Sequence, residues 1–499
     1  MTARLADEAL ADIQGFVTSG YGHLPLTSYV FLAIYDAAAA QRYVAQLLPR
    51  ITSAAPWPIV NGKKVKPVAA VNVAFTDAGL AALGLPEDVR CTFPAEFQEG
   101  IATSDRSAIL GDTEESAPEK WEFGGSQHPA IHIVVIIHGA SALDLDRECS
   151  VHRGLVSAAR GGVAELPIAI QHGYRPSGDH EPFGFHDGIS QPSIRGVPDD
   201  GVPTGEFILG YENHYGFVSP TPVVAEALEG SGLLPPLRNP YHSSARLRDL
   251  GLNASFVVYR KLQQDVVGFW QFAQREAVRA TGQPDRTHMM WVASRMMGRW
   301  PSGAPLAMAP QRDEPRFHDR NDFLYDEDPD GFACPLGAHV RRTNPRAVLK
   351  PYPTAQSLSM SEAHRLLRRA RVFGPALVNT TALQDPASTA TDPLIDLVDD
   401  GVPRGIHFFC VNASIKSQFE FVQQTWCNNP RFSGLTVNKD PITGDNARTD
   451  APPSHMEIPR HPRAYRTAAL PRFVTVRAGA YLFMPSIAGL RFLSSFRPG

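Results

Sequence analysis

The chain has 499 residues, 43% hydrophobic and 20% charged, enough for about three average domains or one large enzyme with a sizeable core. Its 47 basic and 51 acidic residues give a net charge of −4, which argues against a nucleic-acid binder because such proteins carry a basic face. Five widely spaced cysteines (Cys91, Cys149, Cys334, Cys410 and Cys427) with no Cys-x-x-Cys pair weigh against a disulfide framework or zinc ribbon.

The N-terminal run MTARLADEALADIQG lacks the basic region and apolar core of a secretory signal, so a reduced, cytoplasmic protein is expected. No apolar run approaches the ~20 residues of a membrane span, and no membrane partner is expected. The 43 prolines exceed the usual share of roughly 5% and predict long ordered loops, where function often resides.

In chain order, residues 28–48 read as an apolar strand followed by a helix, and residues 132–149 as a second such unit. Residues 255–274 match the first unit and residues 406–426 the second, with starts 227 and 274 positions apart. The repetition predicts two related α+β halves, each an antiparallel sheet covered by helices on one face, with the two sheets facing across a core. The Pro- and Gly-rich stretch near 220–250 marks the boundary, giving domains 1–225 and 226–499. Residues 275–335 show weak periodicity and read as a long irregular insertion.

The first candidate for chemistry is Gly184-Phe185-His186-Asp187-Gly188, flanked by Pro182 and Pro192. Glycine admits backbone angles closed to other residues and close approach of another group. Taken alone, Asp187 before Gly188 has a commoner role as a turn-former. In ACPLGAHVRRTNPR (333–346), His339 precedes Arg341 and Arg342. An imidazole is a common metal ligand, and neighbouring guanidiniums suit an anionic ligand, although a lone histidine more often satisfies a buried hydrogen bond. HRLLRRARVFGP (364–375) holds Arg365, Arg368, Arg369 and Arg371, whose bland role is a solvated basic helix end. In GIHFF (405–409), Ile406 and Phe408 share one face of a strand.

Taken together, these segments resemble the dye-decolorising peroxidase family. GFHDGISQP resembles its GxxDG motif, CPLGAHVRRTNPR its proximal haem-histidine segment, and LLRRARVFGP its distal-arginine segment. DIQGFV, QFEFVQQTW (418–426) and GAYLFMPSIAGLRFL (479–493) also look like the family. The likeness runs in order over nearly the whole chain, with 152 positions from Asp187 to His339 and 29 from His339 to Arg368. The long insertions look like those of its larger members.

The resemblance implies two ferredoxin-like halves of the dimeric α+β barrel type with helices on the outer faces, and haem b (iron protoporphyrin IX) in the second half. His339 would be the proximal iron ligand, with Asp440 or Asp445 hydrogen-bonded to its far nitrogen. Asp187 and Arg368 would be the distal catalytic pair, Ile406 and Phe408 the distal wall, and Arg341 or Arg342 the propionate partner. Gly188 would let the turn lie close over the macrocycle. The run RRARVFG, where many members read closer to RRGIPYG, adds Arg371 near the site.

The implied reaction reduces hydrogen peroxide and oxidises dyes, phenolics or other aromatic donors in one-electron steps. A carboxylate can move the peroxide proton while a guanidinium stabilises developing charge, and an aspartate stays ionised at low pH, so acidic optima are expected. Bulky donors would react at a channel mouth or through Trp291, Trp300 or Trp426. A homodimer is compatible with this reading. Two alternatives stand beside it: a haem carrier or iron-releasing (deferrochelatase-like) protein, and a non-haem binding protein on the same duplicated fold. A zinc site from His172, His180 and His186 fits no tetrahedral spacing.

Overall fold

A computed structural model describes residues 5–197, 200–230, 232–237, 246–380, 383 and 394–497. Part of the boundary stretch, at 231 and 238–245, lies outside the described residues. Ten antiparallel strands form one sheet that closes on itself. In the first half, Leu26–Ile34 lies between Ile133–Gly139 and Gln171–Tyr174, and Ala69–Phe75 adds to Ile133–Gly139. In the second half, Ser255–Gln264 lies between Gly405–Asn412 and Val474–Met484. The halves join at two narrow seams, Phe483 against Phe75 and Val372 against Tyr174. Closure leaves the main strands without long free edges.

These strands are buried on both faces, so their sequences are almost continuously apolar. Val257, Tyr259, Phe409 and Leu482 point into the barrel beside Tyr29 and Phe31. Their neighbours Phe256, Val258 and Cys410 point outward against the covering helices. Each half repeats one local device. Asp36 caps the helix Ala37–Leu47 by accepting from the Ala39 N–H (2.6 Å), and Asp265 caps Val266–Thr281 by accepting from the Gly268 N–H (2.7 Å). Asp265 directly follows its strand, and Asp36 follows its own after one intervening residue.

The expected irregular insertion over 275–335 is corrected in its first half: Arg286–Met297 is a helix, capped at Asp285. It carries no amphipathic stripe because it is buried on nearly every side, through Met289, Val292, Ala293, Met296 and their neighbours. Among the described residues, no helix is long and apolar enough to cross a membrane.

Candidate active site

The GFHDG turn is held by its own neighbourhood. Glu181 accepts from the N–H groups of Phe183 and Phe185 (3.0 Å each) and from Gln264 Nε2 (2.7 Å). The N–H of His186 donates to the Pro301 carbonyl (3.0 Å), and that of Asp187 to the Asp179 carbonyl (2.8 Å). Gly184 (φ +100°) and Gly188 (φ +85°) take the left-handed backbone that the turn demands. The turn thereby presents Asp187 to Arg368, which donates to it at 2.9 and 3.4 Å. The Arg368 backbone is itself anchored, its N–H donating to Gln191 Oε1 (3.0 Å) in the continuation of the same motif.

Burial alone would raise the Asp187 carboxyl. The Arg368 charge, with hydrogen bonds from the Gly188 N–H and Arg368, more than offsets it, so the carboxyl sits below its ordinary range.

Asp187, Arg368, His339, Ile406 and Phe408 all line one cavity. His339 begins the one-turn helix His339–Thr343. Its Nδ1 meets both oxygens of Asp440, at 2.9 and 3.1 Å, which leaves Nε2 for the cavity. Asp440 is fully buried and also accepts from the N–H groups of Ile442 and Thr443 (2.8 Å each). Burial would raise its carboxyl, but the His339 ring and these donors hold it low. Asp445, the other candidate partner, pairs instead with Lys439 (2.7 Å) and Arg448 (3.1 Å). Ile406 and Phe408 face the cavity because period-2 alternation sends His407 and Phe409 into the barrel. A π-helical stretch over Lys416–Glu420 and Val422–Cys427 brings Phe419, Val422 and Cys427 to the cavity wall.

The expectation for Arg341 and Arg342 is corrected. Both are buried, neither lines the cavity, and their terminal guanidinium nitrogens are bonded elsewhere. Arg341 donates to Asp328 Oδ2 (2.9 Å) and to the Cys334 carbonyl (2.6 Å) and covers the Tyr325 ring. Arg342 donates to the carbonyls of Trp426, Asn429 and Asn438. Following His339 on a single turn, both side chains swing back into the body of the protein. Besides Arg368, the arginines that line the cavity are Arg260, Arg299, Arg365 and Arg472. Arg371, expected near the site, lines a second cavity, and its guanidinium donates to the Gly20 carbonyl (2.8 Å).

That second cavity carries Gly188, Arg175, His180 and Gln191 and shares Asp187, Arg368 and Ile406 with the first, so the two adjoin at the carboxylate–guanidinium pair. Sequence reasoning missed Glu181, which lines both cavities and which burial pushes up to about 7. It also missed the buried Asp112–Arg260 pair at the cavity wall. Neither carries a local signal, because each depends on a partner more than 80 positions away.

Of the relay candidates, Trp300 and Trp426 are buried, and Trp291 stacks on His288 (5.1 Å) under Arg295. Among the described residues no cluster of three His, Cys, Asp or Glu could hold a metal ion. The cavity therefore offers one imidazole braced by a carboxylate, an acid–guanidinium pair, apolar walls that include Leu262, Phe419 and Ile442, and four further arginines, of which Arg260 is paired with Asp112. This donor set suits a flat, apolar, metal-bearing ring with anionic substituents.

The family model described as the DyP dimeric alpha+beta barrel domain matches residues 12–163. A dye-decolorizing peroxidase of Mycena epipterygia is 28% identical, covering 94% of this chain and 84% of its own. One of Auricularia auricula-judae is also 28% identical, covering 96% and 86%. Among solved structures, an ancestral D-type dye-decolorizing peroxidase superposes with a TM-score of 0.74 at 27% identity, covering 98% of this chain and 99% of the other. A dye-decolorizing peroxidase in complex with 2,6-dimethoxyphenol gives 0.73 at 27% identity, covering 97% and 99%. Along nearly its whole length the chain is similar to dye-decolorizing peroxidases, and these likenesses support an oxidoreductase of that type.

Proposed function

We propose that the protein is a haem b peroxidase that reduces hydrogen peroxide and oxidises dyes, phenolics or other aromatic donors one electron at a time. The observation that carries this reading is that His339, braced by Asp440, and the Asp187–Arg368 pair line one cavity, with Asp187 within electrostatic reach of His339. His339 Nε2 would ligate the iron, and the Asp440 carboxylate would fix the imidazole tautomer and raise its basicity. Arg299 and Arg365 would meet the anionic propionates. Gly188 would let the turn lie close to the macrocycle, with Ile406 and Phe408 as its apolar cover. When bound, the haem supplies a redox-active iron that accepts peroxide and passes oxidising equivalents to donors.

Asp187 would take the proton from the near oxygen of hydrogen peroxide and return it to the far oxygen, which then departs as water. Arg368 would hold that carboxylate ionised and stabilise charge on the departing oxygen. The second cavity would give peroxide its path to the pair. A division into domains 1–225 and 226–499, cytoplasmic location and homodimer formation are part of the same proposal. A carrier or iron-releasing role would need His339 but gives the Asp187–Arg368 pair no work.

The test is oxidation of 2,6-dimethoxyphenol by the haem-loaded protein. Turnover that requires added peroxide supports the reading, and haem binding without peroxide-dependent turnover contradicts it.

A further inference from the structure

Outside the lining of either cavity, residues 57–68 (WPIVNGKKVKPV) form a small hairpin. Strand Ile59–Val60 pairs with Lys63–Lys64 across Asn61 and Gly62. Both turn residues have positive φ (+51° and +73°), which suits a two-residue turn matched to strand twist. The hairpin base is fixed: the Trp57 ring packs edge-on against His23 (4.9 Å), and the Val65 N–H donates to the Pro58 carbonyl (2.8 Å). Beyond the base the ribbon is bare. Ile59 is 67% exposed, Val60 54% and Val65 49%, and Val68 at its foot is 61% exposed.

Two observations specify what covers it. The first is charge. From Ala37 to Thr76 there is no acidic residue, while Arg42, Lys63, Lys64 and Lys66 are cationic and Arg50 is paired with Glu148, in a chain whose net charge is −4. A second copy of the hairpin would bring like charges together, so the occupant is anionic. The second is geometry. Ile59 and Val60 are consecutive strand residues and point to opposite faces of the ribbon. A folded protein partner covers one face of a ribbon, whereas an acyl layer surrounds both. An isolated two-stranded hairpin is also marginal in water, so burial of its tip is favourable.

We propose that this hairpin is a peripheral contact for an anionic lipid surface. Ile59, Val60 and Val65 enter the boundary between headgroups and acyl chains. Trp57, with Lys66 Nζ 5.9 Å from its ring, sits at headgroup level. Lys63 and Lys64 bury their stems and reach back to the phosphates. This contact needs no spanning helix.

The experiment is vesicle co-sedimentation of the full-length protein. Phosphatidylcholine vesicles with about 30% phosphatidylglycerol are compared with pure phosphatidylcholine. At low salt the protein pellets with the anionic vesicles only, and added salt weakens the association. The double variant I59D/V60D lowers the partition coefficient at least about tenfold, and K63E/K64E does the same. Both variants keep peroxide activity, because the hairpin lies outside the cavity. No association with anionic vesicles at low salt overturns the proposal, as does binding that neither variant changes. A dimer in light scattering that both variants dissolve also overturns it and assigns the surface to a second copy.

Discussion

Arg368 closes on Asp187 across 181 positions of sequence, with both guanidinium nitrogens on the one carboxylate. The arginine thus acts on the proton balance of the aspartate as well as on charge in the cavity. Replacing it separates the two effects. Arg368→Leu removes the main influence that opposes burial at Asp187, so the Asp187 pKa rises. Rapid-mixing measurements of the peroxide reaction should show the acidic limb of the pH profile moving toward neutrality. The plateau rate should fall on the order of 10²–10³-fold, as expected for loss of a preorganised charge-stabilising group. An unchanged profile would mean that the pair is structural.

Asp440 does not line the cavity and contacts His339, so in the proposed reading it is a positioning residue. Asp440→Asn removes the negative charge behind the imidazole while keeping one acceptor. Haem affinity should fall about 10–100-fold, and the reduction potential should rise because the ligand becomes less basic. Haem titration with spectroelectrochemistry reads both. A merely structural role would lower stability and leave the potential where it was.

The arginine correction makes a paired prediction. Arg341→Ala strands the half-buried Asp328 carboxylate and should cost about 3–5 kcal/mol of stability, with haem affinity in the folded fraction unchanged. Arg299→Ala and Arg365→Ala should do the reverse in kind, weakening haem retention. Denaturant melts and haem titrations on the three variants decide the matter. Haem loss in Arg341→Ala without loss of stability would restore the original expectation.

These three cases mark what the sequence carries and what it does not. The strand-then-helix units at 28–48 and 255–274 were legible because an apolar run and a helical pattern are local signals, whereas the caps at Asp36 and Asp265 emerged from the structure. The GFHDG turn was legible because glycine at positive φ leaves a local signature. His339 and Arg368 followed from their order along the chain. The direction of Arg341 and Arg342 was not legible, because it depends on which carbonyls pack behind one helical turn. Asp440 and Asp445 lie five residues apart in one loop, and only folding shows which of them meets His339. The helix Arg286–Met297 hid because burial on nearly all sides erases the 3.6-residue pattern that marks a surface helix.

Stability should favour the acid side. Burial pushes Glu206 and Glu181 up to about 7. An acid with a raised folded pKa contributes stability that is fully present below its unfolded value near 4.5 and is lost as pH rises through 7. Asp187 and Asp440, held low, work in the other direction, and their contribution disappears only as pH falls below the ordinary aspartate range. The melting temperature should therefore peak at mildly acidic pH and decline toward pH 8. Glu206→Gln keeps an acceptor for the His214 N–H and should flatten that decline, by at most about 3 kcal/mol between the two ends. A slope identical to the parent protein would show that Glu206 does not hold a proton in the fold.

The central claim is that His339 holds haem in a cavity whose chemistry is run by Asp187 across from it. Absorption spectra of the purified protein, His339→Ala and Asp187→Asn, before and after mixing with hydrogen peroxide, test it most directly. The account predicts a Soret band in the parent and in Asp187→Asn, its loss in His339→Ala, and a peroxide-induced change that is rapid in the parent and strongly slowed in Asp187→Asn. A Soret band that survives in His339→Ala unchanged, or full peroxide reactivity in Asp187→Asn, would contradict it.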